Sequence, residues 1–254
     1  MRSGALSIGS GPTDMSRIAI VAALEREVRP LVKQWRASER EHAGRSFRFF
    51  EKDDAVLVCG GIGVEAARRA AEAVIALYSP AVVYSAGFAG ALDPGLKVGD
   101  VVHPARVINA GDGSSVSLSE GKGVLVSFAS VASPEQKAKL RESFGAQAVD
   151  MEASAVACAA EARGVDFAVV KAISDEFDFT FPSLERFVDS DGQFMEARFA
   201  LFAALRPWFW PQVVQLASNG KRASRALCEW LGTINTVPTS DSADTHAIEV
   251  VNRR

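Results

Sequence analysis

The sequence predicts an α/β protein, and three observations carry that reading. First, residues 167–173 form an apolar run rich in β-branched side chains. It is too short for a helix and reads as a strand buried on both faces. Second, that run ends abruptly in Ser174-Asp175, before an acidic, Phe-rich loop over residues 176–182. A carboxylate at the carboxyl end of a buried strand sits where open α/β sheets put their chemistry. Third, residues 151–163 form an Ala-rich helix stopped by Gly164. Its entry, Val149-Asp150-Met151-Glu152, offers Asp150 as a cap and Glu152 in the first turn. A strand–helix–strand unit thus gathers Asp150, Glu152 and Asp175 into one short span. Taken singly, these acids read as a cap, a first-turn glutamate and a loop aspartate.

The remaining elements follow in order. Residues 1–14 hold Gly, Ser and Pro with no apolar core segment, so no secretory signal is expected; residues 1–15 read as a flexible leader, with Met15 as the natural start. Residues 17–23 are a strand that runs straight into a helix carrying Leu31 and Trp35. Glu25 and Glu27 fall at that strand-to-helix turn, where acids also complement a helix dipole. Residues 46–51 and 55–58 read as a hairpin. Gly60-Gly61-Ile62-Gly63 then precedes an Ala-rich helix over 64–77. Glycines there let backbone approach a ligand, but the spacing is neither a dinucleotide fingerprint nor a P-loop. Residues 81–84 form another buried strand, ending in the small-residue run Ser85-Ala86-Gly87-Phe88-Ala89-Gly90-Ala91. A turn over 92–100 leads to a strand restart at Val101-Val102-His103, with His103 read as a half-buried strand histidine. A Ser/Gly loop spans 111–123, a strand 124–128 and a polar helix 134–143. The apolar stretch 194–217 carries two prolines and several charges, which makes it a poor membrane span. It reads as a helical segment packed on the sheet or in an interface. A sharper reading makes 194–225 a peripheral membrane contact, helped by the basic run at 221–225. From about residue 235 the chain turns polar and aperiodic, as a disordered tail does.

With 254 residues the chain is one large domain with tails. Its net charge of −3 argues against a nucleic-acid surface. Cys59, Cys158 and Cys228 are far apart, without metal-ligand spacing; Cys59 and Cys158 fall in core elements and read as buried free thiols in a reducing, cytoplasmic setting. The three histidines form no metal motif, so neither metal nor organic cofactor is expected.

In combination, these pieces resemble the purine nucleoside phosphorylase and 5′-methylthioadenosine/S-adenosylhomocysteine nucleosidase superfamily. The segments 18–28, 60–67, 87–100, 149–155 and 167–175 occur in that family's order, and the resemblance covers roughly residues 16–190. The resemblance implies a three-layer α/β/α fold around a mixed, partly closed sheet, spanning 16–234. It implies cleavage of a purine nucleoside N-glycosidic bond. Asp175 then matches the acid that protonates the purine, and Glu27 the residue that activates water. Met151 and Glu152 match the pair lining the sugar. Phe88, Ser174 and Gly61 fall where backbone and small side chains meet the substrate. It also implies a homodimer. The chemistry agrees: glycosidic cleavage passes through a cationic sugar and needs an acid, a base and nearby negative charge. Asp175 is expected to be protonated, desolvated by Phe177 and Phe179.

Departures from the family pattern keep alternatives open. Phe88 stands where the nucleosidases carry serine or threonine, and Lys171 replaces an arginine. Residues 110–133, which should contact base and 5′-group, match poorly; Phe128 is a candidate there. The loop Ala22-Ala23-Leu24-Glu25 puts a carboxylate where phosphorylases bind phosphate, which favours water and a 5′-substituted adenosine. The second reading is a phosphate-dependent phosphorylase, including the hopanoid-associated branch acting on an adenosyl-lipid. The third is an inactive nucleoside-binding protein.

Overall fold

The computed structural model describes residues 17–179 and 210–234, with positions 187, 189, 192, 194, 195, 198, 199, 202 and 208 between them. The expected leader (1–15), the tail (235–254) and most of the 194–209 stretch lie outside the described residues.

Among the described residues eleven strands form one mixed sheet. The strands are β1 (Ile18–Ala22), β2 (Arg36–His42), β3 (Arg45–Lys52), β4 (Ala55–Cys59), β5 (Val82–Ala91), β6 (Val101–Val102), β7 (Arg106–Asn109), β8 (Ser115–Ser117), β9 (Val124–Ser127), β10 (Ala148–Asp150) and β11 (Asp166–Asp175). Among the described residues five helices accompany them: α1 (Glu25–Val32), α2 (Val64–Tyr78), α3 (Pro134–Phe144), α4 (Ala153–Glu161) and α5 (Trp210–Ile234). The path runs β2-β3-β4-β1-β5-β10-β9-β7-β8, with β11 on β5 and β6 on β11. The expected partial closure is not found: among the described residues the path ends at β2 and β8 without joining them. Instead the long β5 branches the sheet, pairing with β1 along its first half, with β11 along nearly its whole length and with β10 near its end.

Alternate residues of the central strands feed two cores. On one face Ala19, Val21 and Val83 pack with α2 and α4 through Ala67, Val74, Val156 and Ala160. On the other, Ile20, Ala86, Val170 and Ala172 pack with α1 and α5 through Val28, Val32, Leu227 and Leu231. Three layers follow directly from this two-residue strand period. Gly60 marks a close approach of the sheet to α2, since a β-carbon there would lie 2.6 Å from that of Ala70.

Two expectations are corrected, the bounds of the C-terminal helix and the burial of Cys158. The C-terminal helix occupies Trp210–Ile234, so the basic run at 221–225 lies inside it. No helix among the described residues is long and apolar enough to cross a membrane. Cys158 is exposed on α4 rather than buried, although all three thiols are free. Strand β2 was not foreseen: its sequence, Arg-Ala-Ser-Glu-Arg-Glu-His, has no apolar alternation because it forms an exposed, charged sheet edge.

Candidate active site

The carboxyl ends of β1, β5, β10 and β11 converge on one cavity of about 1650 Å³. Glu27, Phe88, Met151, Glu152, Ser174 and Asp175 all line it, so the structure gathers six of the seven expected site residues. The seventh, Gly61, does not line the cavity. Its N–H is spent on the Ala23 carbonyl, 2.9 Å away, and its neighbour Ile62 faces the opening instead.

Glu27 sits in the first turn of α1, where the short β1–α1 connection turns its side chain inward. It is 6 % exposed, and its Oε2 has no hydrogen-bond partner among the described residues. The carboxylate lies against the backbone of Gly87, where a β-carbon would stand 3.0 Å from Oε2 and 3.8 Å from Lys171 Nζ. Burial, then the charge of Glu152, push Glu27 up to about 7, while Lys171 and Arg26 pull it back.

Lys171 is the one charged residue in the buried middle of β11, on the face shared with Val169 and Ile173. Its Nζ lies 2.8 Å from Asp150 Oδ2. Burial alone would depress this ammonium, but Asp150 and then Glu152 outweigh it and hold it raised. Asp150 is saturated: it also accepts from Ser127 Oγ at 2.6 Å and from the Ala153 N–H at 2.8 Å. The expected helix-capping role is therefore present, three residues ahead of the first helical residue. Glu152 stands at the cap position rather than in the first turn. Its Oε1 accepts from the Gly63 N–H at 2.9 Å and its Oε2 from the Met151 N–H at 3.2 Å. Gly63 adopts φ +95°, the left-handed region that favours glycine, so the glycine loop holds a carboxylate. Burial and Asp150 push Glu152 upward.

Asp175 reaches the cavity through an irregularity. The register slips between Ile173 and Asp175, leaving Ser174 as an extra residue. Such a bulge re-aims the side chain that follows. Ser174 Oγ donates to Asp175 Oδ1 at 2.8 Å. The expected aromatic cage is replaced: Phe179 lines the cavity but Phe177 does not, and the immediate neighbour of Asp175 is an ammonium. Lys137 Nζ lies 2.5 Å from Asp175 Oδ2 and donates to the Glu176 carbonyl at 2.7 Å. Lys137 rises from α3, whose start is pinned by a capping box between Ser133 and Gln136, with Pro134 at the first position.

The other candidates lie elsewhere. His103 stacks on Trp230, with ring centroids 4.3 Å apart. Phe128 packs into the core beside Val126 and Leu140; residues 130–136, from the β9–α3 connection into the first turn of α3, line the cavity in its place. Sequence reasoning missed both lysine roles. For Lys171 the signal was present, as a lysine inside a buried strand must be paired. For Lys137 no signal exists in a helix whose neighbours are polar.

Comparison with known proteins agrees with this architecture. The sequence profile of the phosphorylase superfamily matches residues 17–134 and 123–205. A 5′-methylthioadenosine/S-adenosylhomocysteine nucleosidase from Actinobacillus succinogenes is 32% identical over 200 residues, covering 64% of this chain and 86% of that protein. An aminodeoxyfutalosine nucleosidase from Campylobacter jejuni is 25% identical over 207 residues, covering 65% and 90%. The crystal structure of the Helicobacter pylori 5′-methylthioadenosine/S-adenosylhomocysteine nucleosidase shares the fold with a TM-score of 0.66 at 19% identity, over 87% of this chain and 98% of that one.

Proposed function

The chain belongs to the phosphorylase superfamily, and on that premise we propose that it is a nucleosidase. It cleaves the N-glycosidic bond of a purine nucleoside with water, acting on a 5′-substituted adenosine such as methylthioadenosine or S-adenosylhomocysteine. The observation that carries this is Glu27: a buried carboxylate on the cavity wall, with one unpartnered oxygen and a pKa raised to about 7. A general base works best when poised near the operating pH. Glu152 supplies negative charge to the cationic sugar, and its oxygens keep lone pairs for ribose hydroxyls beyond the two backbone donors. Met151 packs beside the sugar, and the Ser174–Asp175 end of the cavity takes the base. Proteins that carry the nucleosidase names above are relatives of this chain. The reading includes a cytoplasmic homodimer.

One observation favours the second reading, a phosphorylase acting on an adenosine with a large apolar 5′-group. The cavity exceeds the ~300–1,000 Å³ of ordinary small-molecule sites. Beyond the carboxylates it is lined by Phe179, Phe194, Phe199, Val213 and Leu216, with Arg26 and Arg225 at its edge. Trp208 and Trp210 stand exposed nearby, which suits a peripheral membrane contact.

The test is base release from methylthioadenosine, S-adenosylhomocysteine, adenosine and inosine, each with and without phosphate, followed by chromatography of the sugar. Free sugar regardless of phosphate is expected. A sugar 1-phosphate formed only with phosphate would overturn the hydrolytic reading. No release from any of the four, with nucleoside binding retained, would favour an inactive binding protein or a lipid-nucleoside substrate.

A further inference from the structure

We propose that the mouth of the cavity is a docking surface for an anionic lipid bilayer. Helices α1 and α5 carry the cations that meet the headgroups, and the start of α5 carries the apolar side chains that enter the interface. This surface goes beyond the nucleosidase reading and does not depend on it.

Residues that line the cavity and are also exposed mark its mouth. On α1 these include Arg26, Arg29 and Lys33, which share one helical face at steps of three and four. On α5 they include Lys221 and Arg225, again four apart. The two helices pack together through Val28, Val32, Leu227 and Leu231, so both sets of charges reach one rim. Arg29, Lys33, Lys221 and Arg225 have no acidic partner among the described residues, and Arg26 lies over the ring of Phe194. Arginines of the β2–β3 edge and of α2 meet acids instead. Arg36 and Arg40 meet Glu51, Arg48 meets Glu25, and Arg68 and Arg69 meet Glu65. The acids of the cavity do not neutralise its rim. Glu27 and Asp150 are buried, Glu152 is held by two backbone N–H groups, and Glu135 accepts from Ser133 Oγ on the α3 side. The chain as a whole carries −3 and is repelled by an anionic surface. Attraction therefore has to come from a local patch, and this one turns the mouth toward the lipid.

The apolar half of the surface adjoins the cations. Helix α5 buries Ala223, Leu227 and Leu231. At its start Trp210 and Val214 are 54% and 68% exposed, with Trp208 at 66% just before it. Positions 210, 214, 217, 221 and 225 follow at steps of three and four, so the indole, the valine and the two cations share one stripe. Indole rings settle at the headgroup level of a bilayer. A helix with apolar side chains beside lysine and arginine is suited to lie in that plane. The layout also separates a bilayer from a small anion. From Arg26 to Lys33 the cations of α1 run about 10 Å at 1.5 Å per residue, a row that faces a field of headgroups rather than a single point.

The experiment is co-sedimentation of the full chain with vesicles of phosphatidylcholine alone and of phosphatidylcholine mixed with phosphatidylglycerol. Binding to the mixed vesicles is expected, with little to the neutral ones. It should weaken as salt rises through ~0.1 M, where the Debye length is about 10 Å. Lys221→Glu combined with Arg225→Glu is expected to weaken the partition by at least about 25-fold, since each cation near an anionic surface contributes about fivefold. Lys52→Glu combined with Lys122→Glu changes the net charge equally at exposed positions away from the rim and should lose little. In the wild type, lipids brominated on their acyl chains should quench tryptophan fluorescence, and Trp210→Ser should reduce that quenching. Binding to neither vesicle, equal binding to both, or the same loss in the two double variants would overturn the docking surface. Calorimetric binding of pyrophosphate without vesicle binding would overturn it too, by assigning the cations to a small anion. None of these measurements uses base release, so a failure here leaves the nucleosidase reading standing, and a failure there leaves this surface standing.

Discussion

Lys171 with Asp150 and Lys137 with Asp175 are both ion pairs of a buried lysine, and they differ in what the aspartate has left to offer. The first pair is closed: its side chains are 1% and 0% exposed, and Asp150 spends its oxygens on Lys171, Ser127 and a helix N–H. The second opens on the cavity, with the side chain of Asp175 24% exposed and a hydrogen of Lys137 unspent. Both aspartates end strands of the same sheet. The position of a bulge and the depth of the surrounding helices decide which becomes scaffold and which becomes reagent. A saturated pair fixes geometry; an incompletely saturated one has capacity for a ligand.

The largest expected effect is on the closed pair. Lys171→Met leaves Asp150 and Glu152 buried without their cation, and breaking a buried pair from one side costs about 3–5 kcal/mol. That is a large part of the stability of a typical domain. Chemical denaturation should show it, and Lys171→Arg should recover part. A midpoint unchanged in Lys171→Met would mean that the pair is not buried as described.

Next comes Glu27, which feels the closed pair through Lys171 and its neighbour Glu152. Glu27→Gln is expected to lower hydrolysis by roughly 10²–10⁴-fold and yet to stabilise the fold. The folded pKa of about 7 lies above the ordinary 4.5. The native state therefore holds its proton to higher pH than the unfolded chain does. Stability is lost as pH rises from about 4.5 through about 7 and stays lower above that. Melting at pH 8 should rise in Glu27→Gln, with little difference at pH 4. For the wild type, kcat should climb with pH along a limb near 7. A pH-independent melting difference would detach Glu27 from this account.

How much of this was legible in the sequence follows from the same contrast. The buried strand at 167–173, the alanine-rich helix after Glu152 and the glycine loop before α2 are written in local pattern, because strand burial and helix packing act on contiguous residues. Glu27, Glu152 and Asp175 were readable because each lies at a strand-to-helix or strand-to-loop junction. Lys137 was not, since its partner is 38 residues away and nothing local marks a helix lysine that turns inward. The polar β2 edge was equally silent. Helix α5 was misplaced because Arg206-Pro207 and Pro211 interrupt the pattern just where it starts. The irregularity at Ser174, which directs Asp175 to the cavity, arises only from pairing with β5.

Asp175→Asn tests the open pair directly and should give a smaller effect than Glu27→Gln. Lys137 is buried, so loss of its counter-charge should take part of the about 3–5 kcal/mol of a broken buried pair, less than at Asp150 because the Asp175 side chain is 24% exposed and the Glu176 carbonyl still accepts from Lys137. The melting temperature should therefore fall less than in Asp150→Asn, while base release falls by roughly 100-fold as a carboxylate on the cavity wall is lost. The comparison is sharpest beside Asp150→Asn, which should lose stability first and rate only through it. If the two aspartates behaved alike, the distinction between scaffold and reagent would fail.

Phe88→Ser is expected to do least. Phe88 lies on the cavity wall, half-buried, and its ring packs toward α5, where a β-carbon on Gly220 would stand 3.8 Å from Cε2. Its contribution is apolar surface, so truncation should cost about 1–2 kcal/mol of stability and raise KM by less than about tenfold with kcat held. A serine introduced there brings a hydroxyl toward Glu27, near the neighbouring Gly87, but water is already free to approach the unpartnered Oε2. Steady-state kinetics separate the two contributions, because loss of uniform binding moves KM alone. A rise in kcat would show that the missing hydroxyl limits the chemistry in this chain, and that the phenylalanine trades rate for the fit of an apolar substituent.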